Sequence, residues 1–325
     1  MLFDFDKCFD RPERPEPEAG RLAGLIAQLR PGNPDYFLHP LSGGYRNFNY
    51  RLDTAQGSYV LRLCADQADC ARELALLERL SREPVPVPAV YAQLPGAALL
   101  EFCQGTLASQ LPNLPAEELR QLGAAIGASL ARIHQLSFPG AGFFNSSLEI
   151  VEALEPFAAA WLGYTRSVLQ SDRARQRAGP GLCDALLELL TQQGPRLEEL
   201  VAVNRLVHSD FNLKNLLVLP AEKHGKTDWQ VSAVLDWEFA HAGSPLSDLG
   251  NFFRFEEQLP PPLLAGFLEG YQEGAGPLSP DWRKLSLLLD LAALCGFLDT
   301  PEERPRSFAT ARDRLQRSLD CLKSE

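Results

Sequence analysis

Leu206-Val-His208-Ser-Asp210-Phe-Asn-Leu-Lys-Asn215-Leu-Leu-Val-Leu219, followed by Trp229-Gln-Val-Ser-Ala-Val-Leu-Asp236-Trp-Glu238, is the stretch from which the fold can be read. Leu216 to Leu219 is a short apolar run. In the second run Trp229, Val231, Ala233 and Leu235 share one face, with Gln230, Ser232 and Val234 on the other, the period-2 alternation of a strand. Glu222 to Asp228, polar with Gly225 inside, joins the two as an antiparallel hairpin. Asn215 then precedes the first strand and Asp236 follows the second, so both arrive at the hairpin's open end. A neutral oxygen beside an anionic one suits a hard cation such as Mg²⁺, which keeps several waters and shares phosphate oxygens. Asp210, upstream on the approach loop, is near that pair yet free to take a proton. Phosphoryl transfer needs this division: one carboxylate orients the attacking hydroxyl while a metal neutralises charge on the group in flight.

Upstream, the texture is strand-rich. Tyr45 to Leu52 and Ser58 to Leu63 read as strands joined by the polar turn Asp53–Gly57. Leu74, Leu77 and Leu80 recur at helical spacing, and Pro84, Pro86 and Pro88 then force extended backbone. Val90 to Gln93 and Ala97 to Phe102 form a further strand pair. Past Gly105 the periodicity turns helical: Leu119, Leu122, Ile126, Leu130 and Ile133 make one apolar stripe. Further helices follow over Phe157–Leu169, Cys183–Leu200, Leu263–Tyr271 and Trp282–Leu298, and a last one carries Leu315, Leu319 and Leu322. The boundary falls at Glu101 to Gly105.

The 325 residues are 45% hydrophobic and 22% charged, which excludes a disordered chain or a coiled coil. Lys and Arg number 31 against 42 Asp and Glu, a net charge of −11, so binding to nucleic acid or anionic lipid is not expected. No apolar run is long enough to span a bilayer, and the start carries Asp4 and Asp6 where a signal peptide would be basic and then apolar. A cytoplasmic protein is expected, with no membrane partner. The seven cysteines are scattered with no C-x-x-C pair, and read as small apolar residues in a reducing compartment rather than a disulfide framework or zinc site.

His208-x-Asp210-x-x-x-x-Asn215 followed by Asp236 resembles the catalytic loop and metal-binding aspartate of the protein-kinase-like fold. The spelling Asp236-Trp-Glu238, then Ser247-Asp248-Leu-Gly-Asn251, is similar to the aminoglycoside phosphotransferase and choline kinase branch of small-molecule kinases. Leu41-Ser-Gly-Gly-Tyr-Arg-Asn-Phe-Asn-Tyr50 resembles that branch's nucleotide flap, Tyr59 to Arg62 its next strand, and Leu130 to His134 a helix signature of its larger lobe.

The resemblance implies an α+β, two-lobed fold: residues 1–103 as an antiparallel nucleotide lobe, with flap 41–50 and hinge 101–105, and 104–325 as a mainly helical lobe for catalysis and acceptor. It implies ATP and Mg²⁺ as cofactors and a small-molecule hydroxyl as acceptor. Asp210 would be catalytic, and Asn215 and Asp236 would hold the metal. Arg62, paired with Glu73, would contact the phosphates under the backbone of Ser42, Gly43 and Gly44. Glu101, Phe102 and Cys103 would face the adenine, and His208, Asp248 and Glu238 would give structural support. Arg62 stands where protein kinases carry Lys. Trp237-Glu238 replaces their Phe-Gly and no Ala-Pro-Glu follows, so a small acceptor is expected over a peptide: aminoglycoside-like, or an amino alcohol or sugar. A choline or ethanolamine kinase, a catalytically silent nucleotide-binding module, and a metal-dependent hydrolase built on His208 and Asp210 are the alternatives.

Overall fold

Helix α1 (Ala19–Leu29) and five strands, β1 (Tyr36–Leu41), β2 (Phe48–Thr54), β3 (Gly57–Leu63), β4 (Val90–Leu94) and β5 (Ala97–Glu101), make the first layer. The computed structural model describes residues 1–10, 16–30, 35–41, 46–154, 156–198, 204–223 and 226–323. Ser42, Gly43, Gly44 and Tyr45 of the expected flap, and Gly225 of the expected hairpin turn, lie outside them. The sheet runs β1-β2-β3-β5-β4, antiparallel throughout. The turn expected at residues 53–57 closes with Thr54 opposite Gly57. Strand β1 has no counterpart in the sequence reading. Most of its residues are exposed and Pro40 interrupts it, so neither alternation nor composition marks it; an edge strand tolerates both. Leu22, Ile26 and Leu29 of α1 close one face of the sheet over Tyr50, Leu52, Leu61 and Leu63.

Helix α2 (Gln67–Leu80) starts at Asp66, whose carboxylate accepts the backbone N–H groups of Ala68 and Asp69 at 2.8 and 2.9 Å. These bonds hold the Asp66 carboxyl below its ordinary pKa. The tight passage from β3 into α2 brings Cys64 and Cys70 to a Cα separation of 5.8 Å, where they form a disulfide. That corrects the reading of all seven cysteines as unbridged apolar residues. The reason is local: six residues separate the pair, and the turn between strand and helix points both side chains inward.

After β5 the chain crosses into a three-stranded sheet, in which β6 (Thr106–Leu107) lies beside β10 (Leu216–Lys223) and β10 beside β11 (Lys226–Val234). The expected hairpin is therefore present, running from Leu216 opposite Val234 to Lys223 opposite Lys226, with one bulge at Leu217/Val218. Gly105, at φ +139°, makes the crossing: a Cβ there would stand 2.8 Å from Ser232 Oγ and 2.9 Å from Val218 O. Four short strands, β7 (Gly142–Phe144), β8 (Ile150–Ala153), β9 (Arg205–Val207) and β12 (His241–Gly243), form a further small sheet ordered β8-β7-β12-β9.

The remainder is helical: α3 (Ala116–Ile133), α4 (Phe157–Gln170), α5 (Asp172–Ala178), α6 (Pro180–Glu198), α7 (Leu246–Phe253), α8 (Pro261–Ala275), α9 (Trp282–Asp299) and α10 (Pro305–Lys323). Helices α3 and α8 meet through two glycine pairs at i, i+4. A Cβ on Gly123 or Gly127 would come within 2.1 or 2.0 Å of carbonyls of α8, and one on Gly266 or Gly270 within 1.9 or 2.1 Å of carbonyls of α3. The largest apolar core runs from Leu74, Leu77 and Leu80 of α2 through Ile126 and Leu130 of α3 to Val218 and Val234 of the hairpin, and a separate one lies among α4, α6, α9 and α10.

The first ten residues, expected in the nucleotide lobe, lie against the other end of the chain. Phe3 and Phe9 pack on Phe255 with ring centroids at 5.1 and 6.2 Å, and Asp10 accepts the backbone N–H of Ser307 at 3.0 Å. Their apolar side chains find a partner surface only once α7, α9 and α10 are assembled, which no local pattern announces.

Candidate active site

Asp248, in the first turn of α7, organises the approach loop. Its Oδ2 accepts the backbone N–H of His208 at 2.8 Å and its Oδ1 that of Ser209 at 2.7 Å, while His134 Nε2 lies 3.1 Å from Oδ2. Those bonds outweigh complete burial and hold the Asp248 carboxyl below its ordinary pKa. Ser209 adopts φ +70°, a left-handed conformation that costs a non-glycine residue about 1–3 kcal/mol and needs such an anchor. His134 belongs to the same group through the Tyr271 hydroxyl, 2.9 Å from its Nδ1.

His208 fastens the loop to the hairpin. The Asp210 backbone N–H donates to its Nδ1 at 3.2 Å, so the ring proton sits on Nε2 and is given to Leu235 O at 2.9 Å. The ring packs against Trp237 at 4.6 Å. Leu235 N–H in turn donates to Asn215 O at 2.8 Å, which sets Asn215 beside the residue preceding Asp236. The open end of the hairpin thus brings Asn215, Asp236 and Asp210 together.

The Asp210 carboxylate is held from both sides. Asn212 Nδ2 donates to its Oδ1 at 2.8 Å, and Asn215 Nδ2 to its Oδ2 at 2.8 Å and to its backbone O at 2.9 Å. Asn215 Oδ1 is thereby turned away from Asp210. Asp236 is partly exposed and stands at φ +67°, a second strained position at the same spot.

Arg62 on β3 reaches Glu73 on α2 at 2.9 Å and Asp236 Oδ1 at 3.2 Å, both through Nη2. Its Nε is buried with no hydrogen-bond partner among the described residues. Burial works against the charge on Arg62, but Glu73 and Asp236 outweigh it and raise its pKa. Burial pushes the Glu73 carboxyl up, opposed by Arg62. Glu73 Oε1 also accepts the backbone N–H of Trp237 at 3.3 Å, which locks α2 to the segment carrying Asp236.

Glu238 is buried, and burial with nearby Asp236 pushes its carboxyl up to about 7, against the pull of Arg46. It accepts Asn47 Nδ2 at 3.2 Å, and its backbone O accepts Arg72 Nη2 at 2.9 Å. Arg46, Asn47 and Arg72 carry no role in the sequence reading. They face Glu238 only because β2 and α2 close over the Asp236 segment, and the sole hint was their place beside the Gly43-Gly44 and Glu73 signals.

Glu101 ends β5, and Phe102 and Cys103 follow it at the crossing into the second sheet. Glu101 Oε2 accepts the Ala89 N–H at 3.2 Å, and the Arg51 guanidinium lies 4.6 Å from the Phe102 ring centroid. Burial, with Glu101 nearby, pushes the Cys103 thiol up to about 12, so it stays protonated. Of the expected site residues, all but Ser42, Gly43 and Gly44 are described. The approach loop, Asn215 and the Arg62–Glu73 pair converge on Asp236, while Glu101–Cys103 lie at the crossing.

No helix among the described residues is long and apolar enough to cross a membrane. Among curated proteins the chain is 30% identical over 242 residues to acyl-CoA dehydrogenase family member 11 of Pongo abelii, a match covering 71% of this chain and 28% of that protein. It is 28% identical over 207 residues to a homoserine kinase of Xanthobacter autotrophicus, covering 62% and 59%. The chain thus spans less than two thirds of the length of these relatives. Among solved structures, aminoglycoside phosphotransferase APH(4)-Ia superposes with a TM-score of 0.67 at 21% identity, over 95% of this chain and 100% of that one. Macrolide 2'-phosphotransferase MphH of Brachybacterium faecium gives 0.62 at 18%, over 94% and 98%. These likenesses bear out the expected kinase-like fold. The phosphotransferase enzyme family matches residues 38–288, the stretch that holds the loop, the hairpin and the Arg62–Glu73 pair, and the chain belongs to that family.

Proposed function

We propose that this phosphotransferase moves the γ-phosphate of ATP, with Mg²⁺, to a hydroxyl of a small molecule. The observation that carries this reading is the convergence of Asp210, Asn215 and Asp236 at the hairpin's open end, with the Arg62–Glu73 pair reaching the same aspartate.

In the proposed step Asp210 accepts the acceptor's hydroxyl proton as that oxygen bonds to the γ-phosphorus. The bond from phosphorus to the β,γ-bridging oxygen breaks, and ADP leaves with the electron pair. Asn212 and Asn215 orient the Asp210 carboxylate for this. Asn215 Oδ1 and the Asp236 carboxylate would hold Mg²⁺; an amide oxygen turned outward beside a partly exposed carboxylate is a donor set that suits it. When bound, the ion would neutralise charge on the phosphates. Arg62 would face them with the remainder of its guanidinium, whose Nη2 is committed to Glu73 and Asp236. The hinge Glu101–Cys103 would take the adenine, and Ser42, Gly43 and Gly44 would cover the phosphates.

The acceptor follows from no single side chain. The test is ADP release from Mg·ATP across aminoglycosides, homoserine, choline, ethanolamine and sugar alcohols, with Asp210→Asn as the blank. One acceptor should raise wild-type release well above the blank, whose nucleotide binding should persist. Equal release by the two proteins, or no ATP binding by either, would overturn the proposal.

A further inference from the structure

Cys64 and Cys70 are bridged while the other five cysteines are free, and the bridge lies alongside the Arg62–Glu73 ion pair. Cys64 stands two residues after Arg62, on the same side of the extended chain leaving β3. Cys70 stands three residues before Glu73, on the same face of α2. Disulfide and ion pair therefore span one gap, from β3 to α2, side by side. The ion pair is enclosed, whereas the disulfide borders the surface: Cys70 is buried, but Cys64 is half-buried and leads into the exposed residues Ala65 to Ala68.

The turn that the bridge closes is tied by two side-chain routes to the segment carrying Asp236. Asn47 Oδ1 accepts the Ala65 N–H at 3.1 Å, and Asn47 Nδ2 donates to Glu238 Oε2 at 3.2 Å. Arg46 Nη2 donates to Asp69 Oδ2 at 3.1 Å, and its Nη1 lies 3.9 Å from Glu238 Oε2. Cys64, Cys70, Arg46, Asn47, Glu73 and Glu238 line one small cleft. Arg46 and Asn47 belong to the expected flap, so the turn at 64–70 touches the flap, α2 and the Asp236 segment at once.

A bridge that closes so short a loop removes little chain entropy, so general stabilisation is the smaller part of its effect. Its local effect is to fix the spacing of β3 and α2, which the ion pair and the Asn47 and Arg46 bonds otherwise hold alone. Water can replace those polar contacts at the open side of the cleft, but it cannot replace a covalent bond.

We propose that Cys64–Cys70 is a thiol–disulfide exchange site that sets nucleotide affinity: bridged, it holds β3, α2 and the base of the flap in the arrangement that binds ATP, and opened by a dithiol, it lets them part. This rests on the phosphotransfer reading. A thiolate of the dithiol attacks the sulfur of Cys64, the residue next to the exposed turn, and the Cys70 sulfur leaves with the electron pair and takes a proton. The dithiol's second thiolate then displaces the Cys64 sulfur, which is protonated in turn. Two thiols form on the protein and the dithiol is oxidised to its disulfide; a glutathione-type disulfide reverses the exchange.

The test needs no acceptor. Alkylation under denaturing conditions followed by intact mass should count five thiols in the oxidised protein and seven after dithiothreitol. Calorimetric titration with Mg·ATP should give a Kd at least about fivefold weaker in the reduced protein, the low end of coupling between linked sites. Replacing dithiothreitol with oxidised glutathione should restore the tighter value. Cys64→Ser combined with Cys70→Ala should bind ATP as the reduced wild type does and ignore dithiothreitol. Seven thiols after oxidised glutathione, or one Kd in both redox states, would overturn the inference. So would a response to dithiothreitol that survives in the double variant, since another cysteine would then carry it. Should that variant fold poorly, reversal within the wild-type chain decides the question. Failure of the nucleotide reading has a different signature, no ATP binding in either redox state, and it would remove the basis for this inference as well.

Discussion

Arg62 and Glu73 form an ion pair, both buried, and a double-mutant cycle on them measures how strongly the two charges hold β3 to α2. Their closest atoms are 2.9 Å apart, with side chains 9% and 3% exposed. With charge centres about 4 Å apart, the attraction is roughly 4 kcal/mol at an effective dielectric of 20. Losing one partner forfeits that and strands the other. Asp236, at 3.2 Å from the same Nη2, returns part of it, though at 26% exposure it is partly screened. Glu73→Gln, which retains the acceptor for Trp237 N–H, should therefore cost about 2–3 kcal/mol, and Arg62→Met about 3 kcal/mol. The double variant should cost less than their sum, leaving a coupling of about 2 kcal/mol. At about 2 °C per kcal/mol for a chain of this size, each single variant should melt roughly 5 °C lower by scanning calorimetry. A coupling below about 0.5 kcal/mol, the ordinary error of additivity, would refute the argument that the two charges stabilise one another across the β3–α2 gap.

Three more outcomes follow from the same geometry. Asp248→Ala strands the buried His208 N–H, the part-buried Ser209 N–H and His134, each worth about 1–3 kcal/mol, so urea unfolding should show a loss of at least 3 kcal/mol; a loss under 1 kcal/mol would mean that the loop is held otherwise. Gly266→Ala drives a methyl to within 1.9 Å of the Arg120 carbonyl and should cost about 3 kcal/mol or more, whereas Gly163→Ala, with open space around it, should leave Tm unchanged or slightly higher. Burial lowers the His241 pKa below its ordinary 6.5. Between that folded value and 6.5 the unfolded chain binds more protons, so this contribution is fully present above pH 6.5 and is lost as pH falls toward the folded value. Melting wild type and His241→Leu at pH 7.5 and 5.5 should show the smaller drop in the variant, and equal drops would count against the assignment.

Much of this was written in local sequence. The alternation at Trp229–Leu235 and the polar stretch before it require a hairpin whatever surrounds it, and Asn215 and Asp236 flank that hairpin by position alone. Leu74, Leu77 and Leu80 place Glu73 on a helix for the same reason, although that helix begins six residues earlier, at Gln67. Such signals survive because strand and helix periods are set by backbone geometry within a few residues. Strand β1 was not legible, since an exposed edge imposes no burial pattern on its side chains. Nor was the seat of Met1–Asp10 on Phe255, which depends on a surface built some 250 residues later in the chain.

What the tertiary structure alone decided is which groups meet. Sequence spacing put Lys214 four residues from Asp210, but the 3-10 turn aimed its ammonium at Oδ2. Arg46, Asn47 and Arg72 were ordinary polar residues until β2 and α2 closed on Glu238. Cys64 and Cys70 read as two unrelated thiols until a strand-to-helix turn brought them together. Sequence determined the periodic elements and the residues at their ends, because those follow from interactions between near neighbours. The packing of elements distant in the chain fixed which charges pair and which bonds form, because burial and short-range forces act on distance in space.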